Sequence, residues 1–239
     1  MKQAIIFCGL GEPLSMNDKL PIFLMKFGYK VEIFDSLKLC VDRMNFEMIN
    51  NVDLIVGISL GGIWAPILAN NFPNAKLILA GPFLSDINDS DLISKLFKQI
   101  NNIRTIRLLN LMKNINVEVI AWFMLKINKI PKNCDVEGRA EYRQQMIKNI
   151  KYCKKLSMVE VLSSIEFVKN INNKKLLSKL HNNTLIIVGK YDEFCPISVA
   201  LLHSKLIKNS KTVISTGGHY NVIDKLGYQA LGKFIKYKI

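Results

Sequence analysis

The chain has 239 residues, 49% of them hydrophobic and 22% charged, which is ordinary for a packed globular protein and excludes an intrinsically disordered one. This length suits one full α/β core with an insertion. Lysine and arginine outnumber the acidic residues by 33 to 19, a net charge of +14. Such a charge steers acidic partners but does not identify a nucleic-acid-binding protein, and we expect no nucleic-acid partner.

The cysteines and the hydropathy pattern indicate the compartment. The five cysteines are scattered without a Cys-x-x-Cys pair, so we expect reduced thiols and no disulfide framework or zinc site. The longest apolar run, 117–127, contains Glu118 and Lys126 and is shorter than the roughly 18 residues of a membrane span. Residues 1–7 enter a strand-like run without the features of a secretory signal. We therefore expect a cytoplasmic protein with no transmembrane segment.

Six short apolar runs with β-branched residues alternate with helical patterns along the chain. The predicted strands are 4–8, 30–34, 54–58, 76–80, 184–188 and 211–215. The predicted helices around them are 19–27, 43–49, 63–70, 196–207 and 228–236. Continuous apolar strands that alternate with helices predict a parallel sheet covered on both faces.

This alternation is interrupted once, between the fourth and the fifth strand. Roughly 100 residues separate Phe83 from Thr184, far more than a normal connection needs. The segment has helical patterns at 91–100, 105–112, 117–127, 139–155, 159–171 and 174–180. We predict a helical cap, residues 85–180, inserted into one core formed by residues 1–84 and 181–239. Trp122 and Phe123 in the cap either line a ligand pocket or form the core of the cap.

The most informative motif is Gly-Ile-Ser-Leu-Gly-Gly at residues 57–62, which directly follows the apolar run 54–56 and includes the end of the strand 54–58. A buried strand that enters Gly-x-Ser-x-Gly is typical of a nucleophile elbow, in which a sharp, strained turn exposes the serine hydroxyl. Gly57 and Gly61 are needed because the backbone passes too close to itself there for a side chain. Ser59 is therefore the candidate nucleophile.

A serine needs a base, and the chain has three histidines. His219 follows the last strand, after Gly217 and Gly218, where a loop reaches the carboxyl edge of the sheet at which α/β proteins bind ligands. His181 precedes a strand and belongs to the opposite edge, and His203 lies inside a predicted helix. His219 is therefore the candidate base.

The base needs a carboxylate that fixes its tautomer, and Asp192 follows the fifth strand at the same edge. An aspartate in this position is also often a helix N-cap. Glu193 is the rival to Asp192, and Asp224 is a weaker third choice.

An oxyanion formed at Ser59 needs backbone donors. The N–H of Leu60, directly after the nucleophile, is one candidate. The loop after the first strand, residues 8–12 (Cys-Gly-Leu-Gly-Glu), offers the N–H of Leu10 as the second. The pair Gly9 and Gly11 lacks the third glycine and the ribose-binding acid of a dinucleotide loop.

The order Ser59, Asp192, His219 is that of the α/β-hydrolases, and the chain resembles this family over essentially its whole length. The resemblance implies an α/β-hydrolase fold and a serine hydrolase that cleaves a carboxylic ester or thioester through an acyl-enzyme, with no metal and no cofactor. Two departures matter. Cys8 stands where the family usually has a histidine before Gly9, so the support of that loop differs. The family's first two strands are missing, so we expect a sheet of six parallel strands.

The small size, the helical cap and the Ser-Leu-Gly-Gly sequence also resemble small carboxylesterases such as the pimeloyl-acyl-carrier-protein methyl ester esterases. This resemblance implies a small acyl ester substrate and an acidic carrier protein as a partner. Residues 85–180 carry 18 basic and 9 acidic residues, which would suit such a partner. The alternatives are an acyltransferase with the same three residues and a non-catalytic binding protein that keeps the fold.

Overall fold

A parallel β-sheet organises the computed structural model, which describes residues 1–11, 13–42, 46, 49–83, 114–127, 136–192 and 194–237. Its strands are β1 (Lys2–Phe7), β2 (Tyr29–Phe34), β3 (Leu54–Ile58), β4 (Lys76–Ala80), β5 (Thr184–Gly189) and β6 (Ser210–Ser215). They lie in the order β2-β1-β3-β4-β5-β6, and every neighbouring pair is parallel. The six-stranded parallel sheet expected from the sequence is confirmed for the described residues.

Helices connect the strands and fill the long segment between β4 and β5. They are α1 (Lys19–Lys26), α2 (Ser36–Asp42), α3 (Gly61–Asn71), α4 (Val117–Ile127), α5 (Val136–Lys155), α6 (Met158–Asn170), α7 (Asn173–Leu177), α8 (Ile197–Leu206) and α9 (Lys225–Lys236). A short 3₁₀ turn, His219–Asn221, follows β6. The predicted helices 91–100 and 105–112 lie outside the described residues.

The first connection differs from the sequence expectation. The predicted helix 43–49 lies mostly outside the described residues, and the helix that the structure does describe, α2, comes directly before it. Asp35 explains the early start, because its Oδ1 accepts the N–H groups of Leu37 (3.0 Å) and Lys38 (3.4 Å). Such a side-chain cap satisfies donors that the first turn leaves free.

Each face of the sheet is covered by its own hydrophobic core, because successive side chains of a strand point to opposite faces. On one face, Ile5 and Ile55 pack with Leu68 of α3 and Ala200 of α8. On the other face, α1 and α9 cover the strands. The buried residues of that second core include Ala4, Ile6, Val56, Ile78, Ile187, Leu24, Leu231 and Phe234. This two-sided burial accounts for the continuous apolar strands of the sequence.

The register brings the carboxyl ends of the strands together. Phe7 pairs with Gly57, and Gly57 pairs with Leu79, so the loops after β1, β3 and β4 leave the sheet at the same edge. Gly189 at the end of β5 pairs with Ser215 at the end of β6, which brings two further loops to that edge. Every candidate catalytic residue follows one of these strand ends.

Of the helices between β4 and β5, α5 packs at this edge, whereas α6 and α7 pack on neighbouring helices. Helix α5 contacts the 3₁₀ turn that contains His219, and α6 contacts α2. The ring of Phe167 in α6 stacks on Trp64 of α3 with centroids 4.3 Å apart and 11° between the planes. The Trp64 indole N–H also donates to the carbonyl of Ser36 at 3.1 Å, so this tryptophan joins the insertion to the core.

No helix within the described ranges is long and apolar enough to cross a membrane.

The two sides of α9 provide a test of the packing described above. Leu231 is fully buried against the sheet, whereas Leu226 on the same helix is 45% exposed. We expect Leu231→Ala to lower the free energy of unfolding by about 2–5 kcal/mol, because it removes buried methyl groups and leaves a cavity. We expect Leu226→Ala to change it by less than about 0.5 kcal/mol. Urea unfolding of both variants measures the difference, and equal effects would contradict the assigned orientation of α9.

Candidate active site

Ser59 occupies a tight turn between β3 and α3. Its φ is +50°, a left-handed conformation that a serine adopts only where the surroundings enforce it. The Ser59 N–H donates to the carbonyl of Ala80 at 3.0 Å, and its own carbonyl accepts the N–H groups of Gly62 and Phe83, each at 2.8 Å. These bonds fix the backbone and leave the hydroxyl free to point away from it. The geometry is that of the elbow predicted from the motif.

The glycines of the motif are required by close backbone contacts. A Cβ on Gly61 would lie 2.1 Å from the carbonyl oxygen of Phe7, at the end of β1. A Cβ on Gly57 would lie 2.6 Å from the carbonyl oxygen of Gly61. Neither position has room for a side chain, so the turn can press against the sheet only with glycine at both.

His219 reaches Ser59 from the loop after β6. The distance from its Nε2 to the Ser59 Oγ is 2.9 Å. The imidazole is mostly enclosed, with 13% of the side chain exposed. The 3₁₀ turn that carries it begins after Gly218, whose N–H donates to the Asn221 Oδ1 at 2.8 Å. The structure therefore joins two residues that are 160 positions apart in the sequence.

Asp192 contacts the other nitrogen of the imidazole. The His219 Nδ1 lies 3.0 Å from both carboxylate oxygens of Asp192. The Asp192 Oδ1 also accepts the N–H groups of Phe194 (2.9 Å) and Cys195 (2.7 Å), and the side chain is fully buried. The carboxylate is thus fixed by its own loop before it meets the histidine.

Asp192 and Asp224 have different hydrogen-bond partners. Helix α8 begins after Pro196 with no side-chain cap, so Asp192 is not its N-cap. Asp224 does cap a helix: its Oδ1 accepts the Gly227 N–H of α9 at 2.9 Å, and its Oδ2 accepts the N–H (2.8 Å) and hydroxyl (2.6 Å) of Thr216. The rival Glu193 lies outside the described residues.

These contacts define a tautomer of the histidine. A proton on Nδ1 faces the carboxylate of Asp192, which leaves Nε2 as an acceptor for the Ser59 hydroxyl. A basic nitrogen is then in contact with a serine hydroxyl, with a buried carboxylate behind it. This arrangement can remove the hydroxyl proton and stabilise the resulting imidazolium.

The other two histidines lie away from these groups. His203 is buried within α8. His181 lies just before β5, at the opposite edge of the sheet, as expected from the sequence.

Aromatic rings surround the imidazole. The ring centroid of Phe194 is 4.9 Å from that of His219, and Tyr220 lies on another side at 5.7 Å. Tyr142 of helix α5 makes an edge contact with Tyr220 at 5.0 Å. Burial is the main cause that raises the pKa of Tyr220, to about 12, and the nearby Cys153 and Asp192 add to it. The phenol of Tyr220 therefore stays neutral. Sequence reasoning missed these rings, although Tyr220 and Phe194 directly flank candidate residues.

The two candidate oxyanion donors lie on either side of Ser59. Leu60 precedes the first residue of α3 with helical φ and ψ of −55° and −33°, so its N–H belongs to the start of that helix. Gly9 packs on Ser59: a Cβ on this glycine would lie 2.9 Å from the Ser59 Cβ and 3.6 Å from its Oγ. Leu10 follows directly. The oxyanion roles of Leu60 and Leu10 stay predictions.

The two substrate-binding candidates lie on α4. Trp122 is 61% exposed, which argues against a place in the core of the insertion. The side chain of Phe123 lies outside the described part of the structure. A contact of either residue with substrate stays a prediction. Within the described part of the chain, no three His, Cys, Asp or Glu side chains form a group that could hold a metal ion.

Sequence comparison finds no match: neither a family model nor a curated protein matches this chain. Solved structures do match it. An esterase from Exiguobacterium antarcticum is 16% identical and has a TM-score of 0.68, and the match covers 99% of this chain and 92% of the esterase. A thermophilic esterase from Thermogutta terrifontis is 14% identical with a TM-score of 0.67, covering 99% and 90% of the two chains.

A bromoperoxidase from Bacillus anthracis is 19% identical with a TM-score of 0.65, covering 99% of this chain and 92% of that one. Together with the six parallel strands, these matches show that the chain has the α/β-hydrolase fold. Identities this low establish the fold and not the reaction.

The contact at Gly61 can be tested directly. We expect Gly61→Ala to lower the free energy of unfolding by at least about 2 kcal/mol, because the added methyl group overlaps the Phe7 carbonyl. Gly232→Ala in α9 is a matched control, since its nearest neighbours would lie 3.5 Å away. We expect the control to leave stability unchanged or to raise it by a few tenths of a kcal/mol. Thermal or urea unfolding would contradict the described turn if Gly61→Ala were as stable as the wild type.

Proposed function

We propose that the protein is a serine carboxylesterase that hydrolyses a small carboxylic ester or thioester through an acyl-enzyme. One observation carries the proposal: the Ser59 Oγ, the imidazole of His219 and the carboxylate of Asp192 form a continuous chain of contacts of 2.9 and 3.0 Å. These three groups in this order have the geometry of a nucleophile, its general base and the group that orients the base. The esterase names among the similar structures agree with it.

In the first half of the proposed reaction, the Ser59 Oγ attacks the carbonyl carbon of the ester. A new C–O bond forms while the hydroxyl proton moves to Nε2 of His219, and the carbonyl oxygen gains the negative charge. Asp192 stabilises the imidazolium. The N–H groups of Leu60 and Leu10 donate to the oxyanion. Such donors raise the rate because they stabilise the charge that develops in the transition state.

The tetrahedral intermediate then collapses. The bond to the alcohol or thiol leaving group breaks, and the imidazolium returns its proton to that group. Water then enters, gives a proton to Nε2 and attacks the acyl carbon, which forms a second tetrahedral intermediate. When this intermediate collapses, the bond from the acyl carbon to Oγ breaks and the imidazolium returns its proton to Oγ, which releases the carboxylic acid and restores Ser59. The aromatic rings of Phe194 and Tyr220 surround the imidazole and limit the access of other water to it.

Ser59 provides the decisive test of the mechanism. We expect Ser59→Ala to lower kcat on p-nitrophenyl acetate and butyrate by about 10⁵-fold or more, with an unchanged circular dichroism spectrum. It should also abolish labelling by a fluorophosphonate probe. Ser204→Ala in α8 is the matched control and should keep full activity, because its hydroxyl donates to the carbonyl of Leu201 within the same helix. Wild-type turnover in the Ser59 variant would reject the mechanism.

A narrower form of this proposal is that the acyl group of the substrate is attached to an acidic acyl carrier protein. Its only support is charge: helix α5, which contacts the His219 turn, carries exposed basic residues. Arg139, Lys148 and Lys151 are exposed members of this set, whereas Arg143 pairs with Glu118 at 3.3 Å. The acyltransferase alternative needs only that an alcohol or amine replaces water in the second half of the reaction.

Charge reversal tests the carrier. If α5 binds an acyl carrier protein, Arg139→Glu combined with Lys151→Glu should raise KM for an acyl-carrier-protein ester about tenfold and leave KM for p-nitrophenyl acetate unchanged. The effect should weaken at high salt. Lys211→Glu with Lys208→Glu, on the β6 side of the core, is the control pair. Equal KM values for both double variants would reject the carrier and leave the esterase proposal intact.

A further inference from the structure

The loop after β1 lacks the histidine that usually supports it in this family, and Cys8 stands in its place. The Cys8 Sγ accepts the N–H of Leu14 at 3.3 Å, a bond within the same segment of chain. Burial raises the pKa of the thiol to about 11, so it stays a neutral and weak acceptor. This local bond does not join the loop to the rest of the site.

The side chain of Asn149 in helix α5 provides that contact. A Cβ on Gly11 would lie 2.4 Å from the Asn149 Oδ1, 2.5 Å from its Cγ and 2.9 Å from its Nδ2. Three atoms of one carboxamide thus lie directly against the Cα of Gly11. Gly11 has a φ of +145°, so the loop bends at the point where Asn149 presses on it.

The Asn149 side chain is itself fixed. The Gln145 Nε2, one helical turn earlier, donates to the Asn149 Oδ1 at 3.2 Å. Helix α5 is also anchored on both sides of this pair. Tyr142 packs on Tyr220 beside the catalytic histidine candidate, and the hydroxyl of Tyr152 donates to Asp35 after β2.

Leu10 lies between two such contacts. On one side Gly9 packs against Ser59, and on the other side Gly11 packs against Asn149. The peptide groups around Leu10 are therefore held between the nucleophile and the insertion. The side chain of Leu60, the other donor candidate, packs with Leu156, which follows the end of α5.

We propose that Asn149 is a positioning residue, which holds the loop of Cys8–Gly11 so that the N–H of Leu10 faces the oxyanion formed at Ser59. The inference rests on the proposed serine chemistry and adds to it a residue of the insertion. In this chain Asn149 takes over the support that the replaced histidine would give. Oxyanion donors act over about 2.7–3.1 Å, so a small retreat of the loop weakens them.

The test compares two variants of the same helix. Asn149→Ala removes the group that presses on Gly11, and Gln144→Ala is the control because its side chain is exposed. We expect Asn149→Ala to lower kcat on p-nitrophenyl acetate about tenfold with KM changed less than about twofold, since the donor acts in the transition state. The rate of phosphonylation of Ser59 by a fluorophosphonate should fall by a similar factor, because the phosphoryl oxygen uses the same donors.

Two further measurements separate positioning from general support of the fold. The affinity for an aryl trifluoromethyl ketone, which adds to the serine and forms an oxyanion, should fall by the same factor as kcat/KM. Asn149→Leu, which has a similar size and branching, should restore kcat to within about threefold of the wild type, because the contact with Gly11 is steric. A general loss of folding would instead lower the amount of labelled enzyme and leave the ketone affinity of the folded fraction unchanged.

The inference is overturned if Asn149→Ala is phosphonylated at the wild-type rate, or if the phosphonylation rate of Gln144→Ala falls as much as that of Asn149→Ala. It is also overturned if kcat falls while the ketone affinity holds. A wild type that is phosphonylated at Ser59 but hydrolyses no ester would refute the esterase function, and the phosphonylation rates would still decide the role of Asn149. A wild type that is not phosphonylated at Ser59 would refute both.

Discussion

The whole carboxyl edge of the sheet depends on how closely the turn of Ser59 crosses the end of β1. Gly61 and the Phe7 carbonyl are in backbone contact, so α3 starts directly above the sheet and the serine is forced into a left-handed conformation. Such a conformation costs about 1–3 kcal/mol. The Ser59 N–H donates to Ala80, and the Ser59 carbonyl accepts from Gly62 and Phe83, so the backbone is held and one tight crossing fixes the position of the hydroxyl.

Asp192 and His219 reach this hydroxyl as one unit. The loops after β5 and β6 are in backbone contact, since a Cβ on Gly189 would lie 2.6 Å from the Gly217 carbonyl oxygen. Gly81, directly after β4, leaves room for these two side chains. A Cβ on Gly81 would lie 3.0 Å from the Asp192 Oδ2 and 3.5 Å from the His219 Nδ1. Glycines at three different strand ends therefore make one short contact chain possible.

The sequence was sufficient for the strands and for the meeting of Ser59, His219 and Asp192 at one edge of the sheet, because both follow from local rules. A buried parallel strand has a continuous apolar pattern, and catalytic loops follow the carboxyl ends of such strands. Helix α2 was not anticipated because its start depends on the side chain of Asp35 and not on periodicity. Asn149 and Tyr142 could not be found, since a polar or aromatic residue on a long helix has no sequence signal for the loop it will contact.

The place of the insertion has a consequence for how the protein is made. Strands β4 and β5 are neighbours in the sheet, yet roughly 100 residues of chain separate them. At a ribosomal rate of about 5–20 residues per second, the apolar edge of β4 waits roughly 5–20 s for its partner. An unpaired apolar edge invites pairing with other chains. The first four strands therefore expose an unpaired edge during synthesis until β5 is made.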